Sequence, residues 1–130
     1  MTDTLEIAIT LTDVKFYKHC DEILIIEFEN EATLELPDIA EFQNHQVSIM
    51  GDEPCKVVNI ICPDFSVTKE AREYGNSEEA YKYLKASAIV CNTLAHRILG
   101  SFFIKIQRPP RPTRMFNDLK SAIAWLETID

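Results

Sequence analysis

Between Glu79 and Asp118 the chain has no carboxylate side chain. The 38 residues from Ala80 to Asn117 hold seven cations, Lys82, Lys85, Arg97, Lys105, Arg108, Arg111 and Arg114, whereas 18 of the 21 acids lie in the first 79 residues. Glycine is scarce as well. Gly51, Gly75 and Gly100 are the only three, so neither a GxGxxG turn nor a P-loop can be written and no nucleotide-binding loop is expected. The four cysteines, Cys20, Cys55, Cys62 and Cys91, form no CxxC pair, and His19, His45 and His96 stand apart in sequence. That spacing excludes zinc-ribbon and HExxH arrangements, and neither a metal nor an organic cofactor is expected. No apolar run reaches the roughly 18 residues that a membrane-spanning helix needs. The opening MTDTLEIAITLTD has neither a basic start nor a long apolar centre, so a signal peptide is not expected. Reduced thiols and a cytoplasmic location follow as expectations.

What is present describes an ordinary globular chain. It has 130 residues, 46% hydrophobic and 26% charged, with a formal net charge of −8. One domain over residues 1–130 is expected. A chain of this size buries enough surface for a core without staples. An acidic body carrying one basic segment argues against nucleic acid as a partner, because duplex binders are usually basic as whole domains.

The element order is legible from periodicity. Leu5, Ile7, Ile9 and Leu11 alternate with Glu6, Ala8 and Thr10, which reads as a half-buried strand. Val14–His19 and Glu22–Glu29 read as an antiparallel hairpin. Thr33–Leu36 is extended. Pro37 opens a helix, with Asp38 and Glu41 at its positive end, and Gly51–Pro54 stops it. The β-branched run Lys56–Cys62 reads as a central parallel strand. Thr68 caps the next helix, and Asn76 with Glu79 caps a second segment, Ser77–Lys85. Ala86–Cys91 is a further strand. Asn92 or Thr93 caps a helix whose apolar face is Leu94, Ile98, Leu99, Phe102, Phe103 and Ile106. Pro109, Pro110 and Pro112 end it. Arg114–Phe116 is a last short strand, and Asn117 caps the closing helix through Leu119, Ala122, Ile123, Leu126 and Ile129. Alternating strands and helices imply a parallel sheet with right-handed crossovers. The expectation is a mixed α/β sheet of five or six strands with parallel pairs at its centre and four to five helices.

That order and several residue runs resemble a known family. Thr68-Lys69-Glu70-Ala71-Arg72, Ile98-Leu99-Gly100-Ser101-Phe102-Phe103, Pro109-Pro110-Arg111-Pro112-Thr113-Arg114-Met115-Phe116 and the closing Ala124-Trp125-Leu126 are similar to the SpoIIAA-like fold. STAS domains share this fold, and SEC14-type lipid-binding folds are related to it. The chain looks like a small, uncharacterised bacterial protein of this STAS/SEC14-like kind. The resemblance implies a SpoIIAA-like sheet and a regulatory or protein-interaction role. STAS antagonists carry a phosphorylatable serine at the start of the helix after a central strand. Here the matching stretch is Asp64-Phe65-Ser66-Val67-Thr68-Lys69-Glu70, which lacks their Asp-Ser-Gly pattern. Ser66 and Thr68 are the hydroxyls available for such a phospho-switch, and Thr68 already serves as a helix cap.

Three site readings stand beside one another. Arg97, Lys105, Arg108, Arg111 and Arg114 form a candidate patch for an acidic protein, an anionic ligand or a second copy of the chain, since arginine forks onto carboxylates and phosphates. The alternative is that these cations pair with the acids of their own chain or are simply solvated. Phe102 and Phe103, on a strongly apolar helix, are candidates for lining a cavity that holds an apolar or lipid-like ligand, or else are plain core. Cys62 and Cys91 fall at the carboxyl ends of parallel strands, where α/β sites gather, and Cys91 precedes a helix start that lowers thiol pKa. His96 lies five residues later. No orienting acid or oxyanion loop is identifiable, so no catalytic residue is assigned and a non-enzymatic role is favoured. The preferred reading is a non-catalytic cytoplasmic interaction module that acts through a protein partner or as a homodimer. A ligand carrier is the alternative, and a cysteine enzyme is a remote one.

Overall fold

The computed structural model describes residues 6–11, 14–29, 31–75, 77–107 and 109–130. Its main sheet has six strands. They are β1 (Glu6–Leu11), β2 (Val14–Lys18), β3 (Ile23–Phe28), β5 (Cys55–Ile60), β7 (Leu84–Val90) and β8 (Thr113–Phe116), in the spatial order β1-β2-β3-β5-β7-β8. The first three pair antiparallel, and β3, β5, β7 and β8 run parallel. A separate parallel ribbon joins β4 (Glu31–Leu34) to β6 (Asp64–Val67). Among the described residues there are four helices: α1 (Leu36–Met50), α2 (Lys69–Gly75), α3 (Leu94–Gln107) and α4 (Leu119–Glu127).

The parallel strands are laid down in one direction across the sheet. With right-handed crossovers, the connections holding α1, α2 and α3 therefore fall on the same face. α4 follows the last strand and takes the opposite face, where Ala122 and Leu126 join Ile23, Ile25, Val58, Ala86, Ala88 and Val90 in one buried cluster. On the crossover face Phe16, Leu24, Ile26, Phe28, Val57 and Cys62 form a second cluster, capped by Phe42, Ile49 and Met50 of α1. The small residues Ala86 and Ala88 let α4 approach β7 closely.

Local chemistry fixes the ends of the helices. The Asp38 carboxylate accepts from the Glu35 backbone N–H at 2.8 Å, opening α1. α1 ends at Gly51, whose φ of +90° a side chain rarely tolerates. Thr68 Oγ1 accepts from the Ala71 N–H at 3.2 Å, the cap expected of it. Thr93, rather than Asn92, caps α3, accepting from the His96 N–H at 3.2 Å.

Four expectations are corrected. Residues 77–83 form successive turns, not a helix. Ser77 bonds back to the Tyr74 carbonyl at 2.6 Å and accepts from Ala80, which is the local competition with helix that serine offers. Leu84 is then drawn into the sheet beside Cys55. The β4–β6 ribbon was not foreseen, because Asp64–Val67 reads in sequence as a loop before a cap. At the last helix Asp118, not Asn117, is the N-cap, accepting from the Ser121 N–H at 2.8 Å. Finally, part of the expected core face of α3 turns outward: Leu94, Ile98 and Leu99 are 69%, 60% and 65% exposed, while the side chains of Phe102, Phe103 and Ile106 lie outside the described residues.

Candidate functional site

The short α2 and the turns after it leave part of the crossover face uncovered. The result is a cleft of about 720 Å³ over β5, β7 and β8. Its floor is the row Asn59, Ser87, Ile89, Thr113 and Met115. Strand register puts these on one face, with Asn59 beside Ile89, Ser87 beside Thr113 and Ile89 beside Met115. One wall is Leu34, Phe65, Ser66 and Val67 of the ribbon, with Phe28 behind. The other is His96, Leu99, Gly100 and Ile104 of α3. Arg72, Gly75, Ala80 and Tyr81 close the end beneath α2.

The wall and floor are held by specific contacts. Phe28 stacks tilted against Phe65 at 4.9 Å between centroids and against Phe42 at 5.8 Å, and Phe42 meets Phe16 edge-on at 5.5 Å. This aromatic chain ties the ribbon to α1 and the sheet. Across the mouth, His96 Nε2 lies 3.1 Å from the Phe65 carbonyl oxygen while Nδ1 lies 2.8 Å from Thr93 Oγ1. In the neutral tautomer Nε2–H donates to Phe65 and Nδ1 accepts from the Thr93 hydroxyl, so one imidazole fastens α3 to the ribbon. At the floor Asn59 Nδ2 and Ser87 Oγ are 3.5 Å apart.

The electrostatics of the lining are one-sided. Among the described residues no aspartate or glutamate lines the cleft, although the protein has 21. Among them Arg72 alone brings a full positive charge there, and it has no acidic partner. Burial pushes the Tyr81 hydroxyl up, against the opposing pull of Arg111, so it stays a protonated donor at neutral pH.

A family model for a domain of unknown function, DUF7793, matches residues 16–130. The chain belongs to the DUF7793 family. The crystal structure of an uncharacterized DUF3478-family protein with a SpoIIAA-like fold, from Shewanella loihica PV-4, is similar to this DUF7793 chain. The TM-score is 0.60 at 16% identity, covering 87% of this chain and 91% of that one. At that identity the likeness shows the fold alone: the DUF7793 chain is a SpoIIAA-like α/β protein. No curated protein matches its sequence. Among the described residues, no helix is long and apolar enough to cross a membrane.

The residues singled out in sequence are dispersed. The cations do not gather at one point. Arg97 stands at the start of α3, near enough to Cys91 to act on its thiol. Arg111 stands before β8 at the opposite edge of the sheet, donating from Nε to the Leu84 carbonyl at 3.0 Å. Arg114 lies on β8 with its guanidinium 5.3 Å from the Phe116 ring centre, and Lys105 is exposed near the end of α3. Among the described residues, Lys85 is the one cation of the carboxylate-free segment that pairs with an acid, Glu22 at 3.7 Å. Arg108 and the side chains of Phe102 and Phe103 lie outside the described residues.

Ser66 Oγ sits 3.1 Å from Thr33 Oγ1 on the ribbon, and Thr68 is occupied as a cap. Cys62 and Cys91 are indeed at the carboxyl ends of β5 and β7, but both are buried. The expected lowering of the Cys91 thiol is reversed: at 1% exposure, burial pushes it up and Arg97 only partly offsets that. His96 is committed to Thr93 and Phe65, so the sequence-level pairing with Cys91 does not form. The cleft itself was missed in sequence. Its floor residues give no motif, and it exists only because residues 77–83 fail to make a covering helix.

Proposed function

We propose that this chain is a non-catalytic binding protein, a single domain over residues 1–130, whose cleft holds an elongated apolar molecule bearing an anionic group. The observation that carries this reading is the lining: largely apolar, free of carboxylates, and edged by Arg72. The volume falls within the roughly 300–1,000 Å³ typical of small-ligand sites. An alkyl chain in the cleft meets Phe28, Ile61, Ile89, Ile104 and Met115, and the thioether of Met115 adapts to irregular shapes. An acidic head at the rim meets the Arg72 guanidinium and no opposing acid of the lining.

The test is calorimetric titration with a long-chain fatty acid and its matching alcohol. Saturable one-to-one binding is expected, with the acid tighter than the alcohol by about tenfold, worth about 1.4 kcal/mol. Arg72→Ala removes that preference. Leu99→Asp, which sets a carboxylate at the rim, weakens the acid more than the alcohol. Absence of saturable binding for both probes refutes the reading.

A second reading, a cytoplasmic STAS-type regulatory module acting through a protein partner or a second copy, is favoured by Arg97, Lys105, Arg111 and Arg114. None of these pairs with an acid among the described residues. Sedimentation of the purified chain across a salt series tests its homodimeric form: a dimer that dissociates as salt rises supports it, and a monomer at all salts removes it.

A further inference from the structure

A helix that covers a sheet normally turns its apolar side chains inward. α3 turns part of its apolar surface the other way. Its seam with the rest of the molecule is His96, Gly100 and Ile104, spaced i, i+4 and i+8. His96 is bonded to Phe65, Gly100 lies against Met115, and Ile104 lines the cleft. Ile98 is two residues from Gly100 and so stands almost opposite it around the helix. With Leu94 one turn earlier it forms an aliphatic strip 60–69% exposed, while Leu99 stands at the cleft rim.

The full charges on that helix have one sign. Arg97 and Lys105 are exposed on the same helix, Lys105 two turns beyond Ile98 on the same side. Neither has an acidic partner among the described residues. No carboxylate occurs from Ala80 to Asn117. The sheet order makes β8 an edge strand with β7 beside it, so the carboxylate-free segment is one lateral end of the molecule.

We propose that α3 docks on an anionic lipid bilayer, lying in the plane of the interface. Leu94 and Ile98 enter the acyl boundary, and Arg97 and Lys105 meet the phosphate layer. A helix of 14 residues is about 21 Å long, which suits lying on a bilayer and not crossing it. A second copy fits this face less well. Two-fold pairing sets Arg97 and Lys105 against their own counterparts, with no acid on either α3 to receive them. The net charge of −8 acts against approach at long range, but charge beyond about 8 Å is screened at physiological salt and no acid lies on α3 itself. The inference stands independently of what the cleft holds.

Co-sedimentation of the full chain with phosphatidylglycerol/phosphatidylcholine vesicles, and with phosphatidylcholine alone, tests it. Binding to the mixed vesicles only, weakening as salt rises, is expected. The double variant Leu94→Glu/Ile98→Glu loses roughly tenfold or more of that partitioning. Arg97→Glu/Lys105→Glu loses a similar factor while circular dichroism stays unchanged, which separates docking from unfolding. Equal binding to both vesicle types, or none to either, overturns the proposal. So does a wild-type dimer that the double variant turns into a monomer without vesicle binding at any stage.

Discussion

Gly100 of α3 and Met115 of β8 touch so closely that a β-carbon at Gly100 would fall 2.6 Å from Met115 Cε. This glycine sets the height of α3 above the sheet and hence the depth of the cleft. Gly100→Leu should lift the helix and cost about 1–3 kcal/mol through overpacking. Gly100→Ala should cost less than Gly100→Leu: one methyl still meets the Met115 sulfur and methyl, which must shift, but alanine gains about 1 kcal/mol of helix propensity over glycine. Urea unfolding of the two variants checks this: a Gly100→Leu protein as stable as the wild type would show that Met115 is not the obstacle.

Thr93 serves twice, as the α3 cap and as a partner of the His96 ring. Thr93→Ala should cost about 1 kcal/mol, up to about 2, from the cap alone. It should also release the imidazole, seen as a changed ring-nitrogen shift by NMR. His96→Ala should keep the cap but detach α3 from Phe65, raising hydrogen exchange in the first turn of α3 while the sheet stays protected.

Tyr17 donates to Glu27 at 2.9 Å, and its hydroxyl is pushed up to about 12 from an ordinary 10, first by burial and then by Glu27 and Glu29. The folded state therefore favours the protonated phenol. The stability from that preference is complete below pH 10 and is lost as pH rises through about 12. Tyr17→Phe should flatten the fall in stability across that alkaline window, as measured by denaturant midpoints.

Thiol reactivity separates the binding reading from cysteine catalysis. Cys20 is exposed, whereas Cys55, Cys62 and Cys91 are buried. Burial raises the Cys55 thiol to about 11 and pushes Cys91 up as well. One fast-reacting thiol, Cys20, is expected at pH 7 under native conditions, with the other three modified only on unfolding. Rapid alkylation of Cys91 would contradict the buried site.

Much of the fold was legible because its strands obey their own patterns. Leu24 and Ile26 of β3 face α1 while Ile23 and Ile25 face α4, as a run apolar on both sides requires. Caps with a polar side chain in the right place, Thr68 and Thr93, were readable too. The ribbon was not, since Glu31–Leu34 and Asp64–Val67 are individually unremarkable and exist as strands only through each other. Residues 77–83 carry helix-forming types, yet the pairing of Leu84 with Cys55 overrides them. The periodicity of α3 gives a correct helix but not the outward turn of Leu94 and Ile98. An apolar stripe marks which residues share a face but not whether that face looks at a sheet. The cleft follows from both of these long-range outcomes, and local sequence encodes neither.

The account rests on the cleft being a ligand site. Amide and methyl NMR shifts of the full chain, titrated with a long-chain fatty acid, test this most directly. The predicted result is saturable shifts at Ser87, Ile89, Gly100, Thr113 and Met115. Shifts absent from those positions, or confined to Leu94 and Ile98 on the outward side of α3, would contradict it.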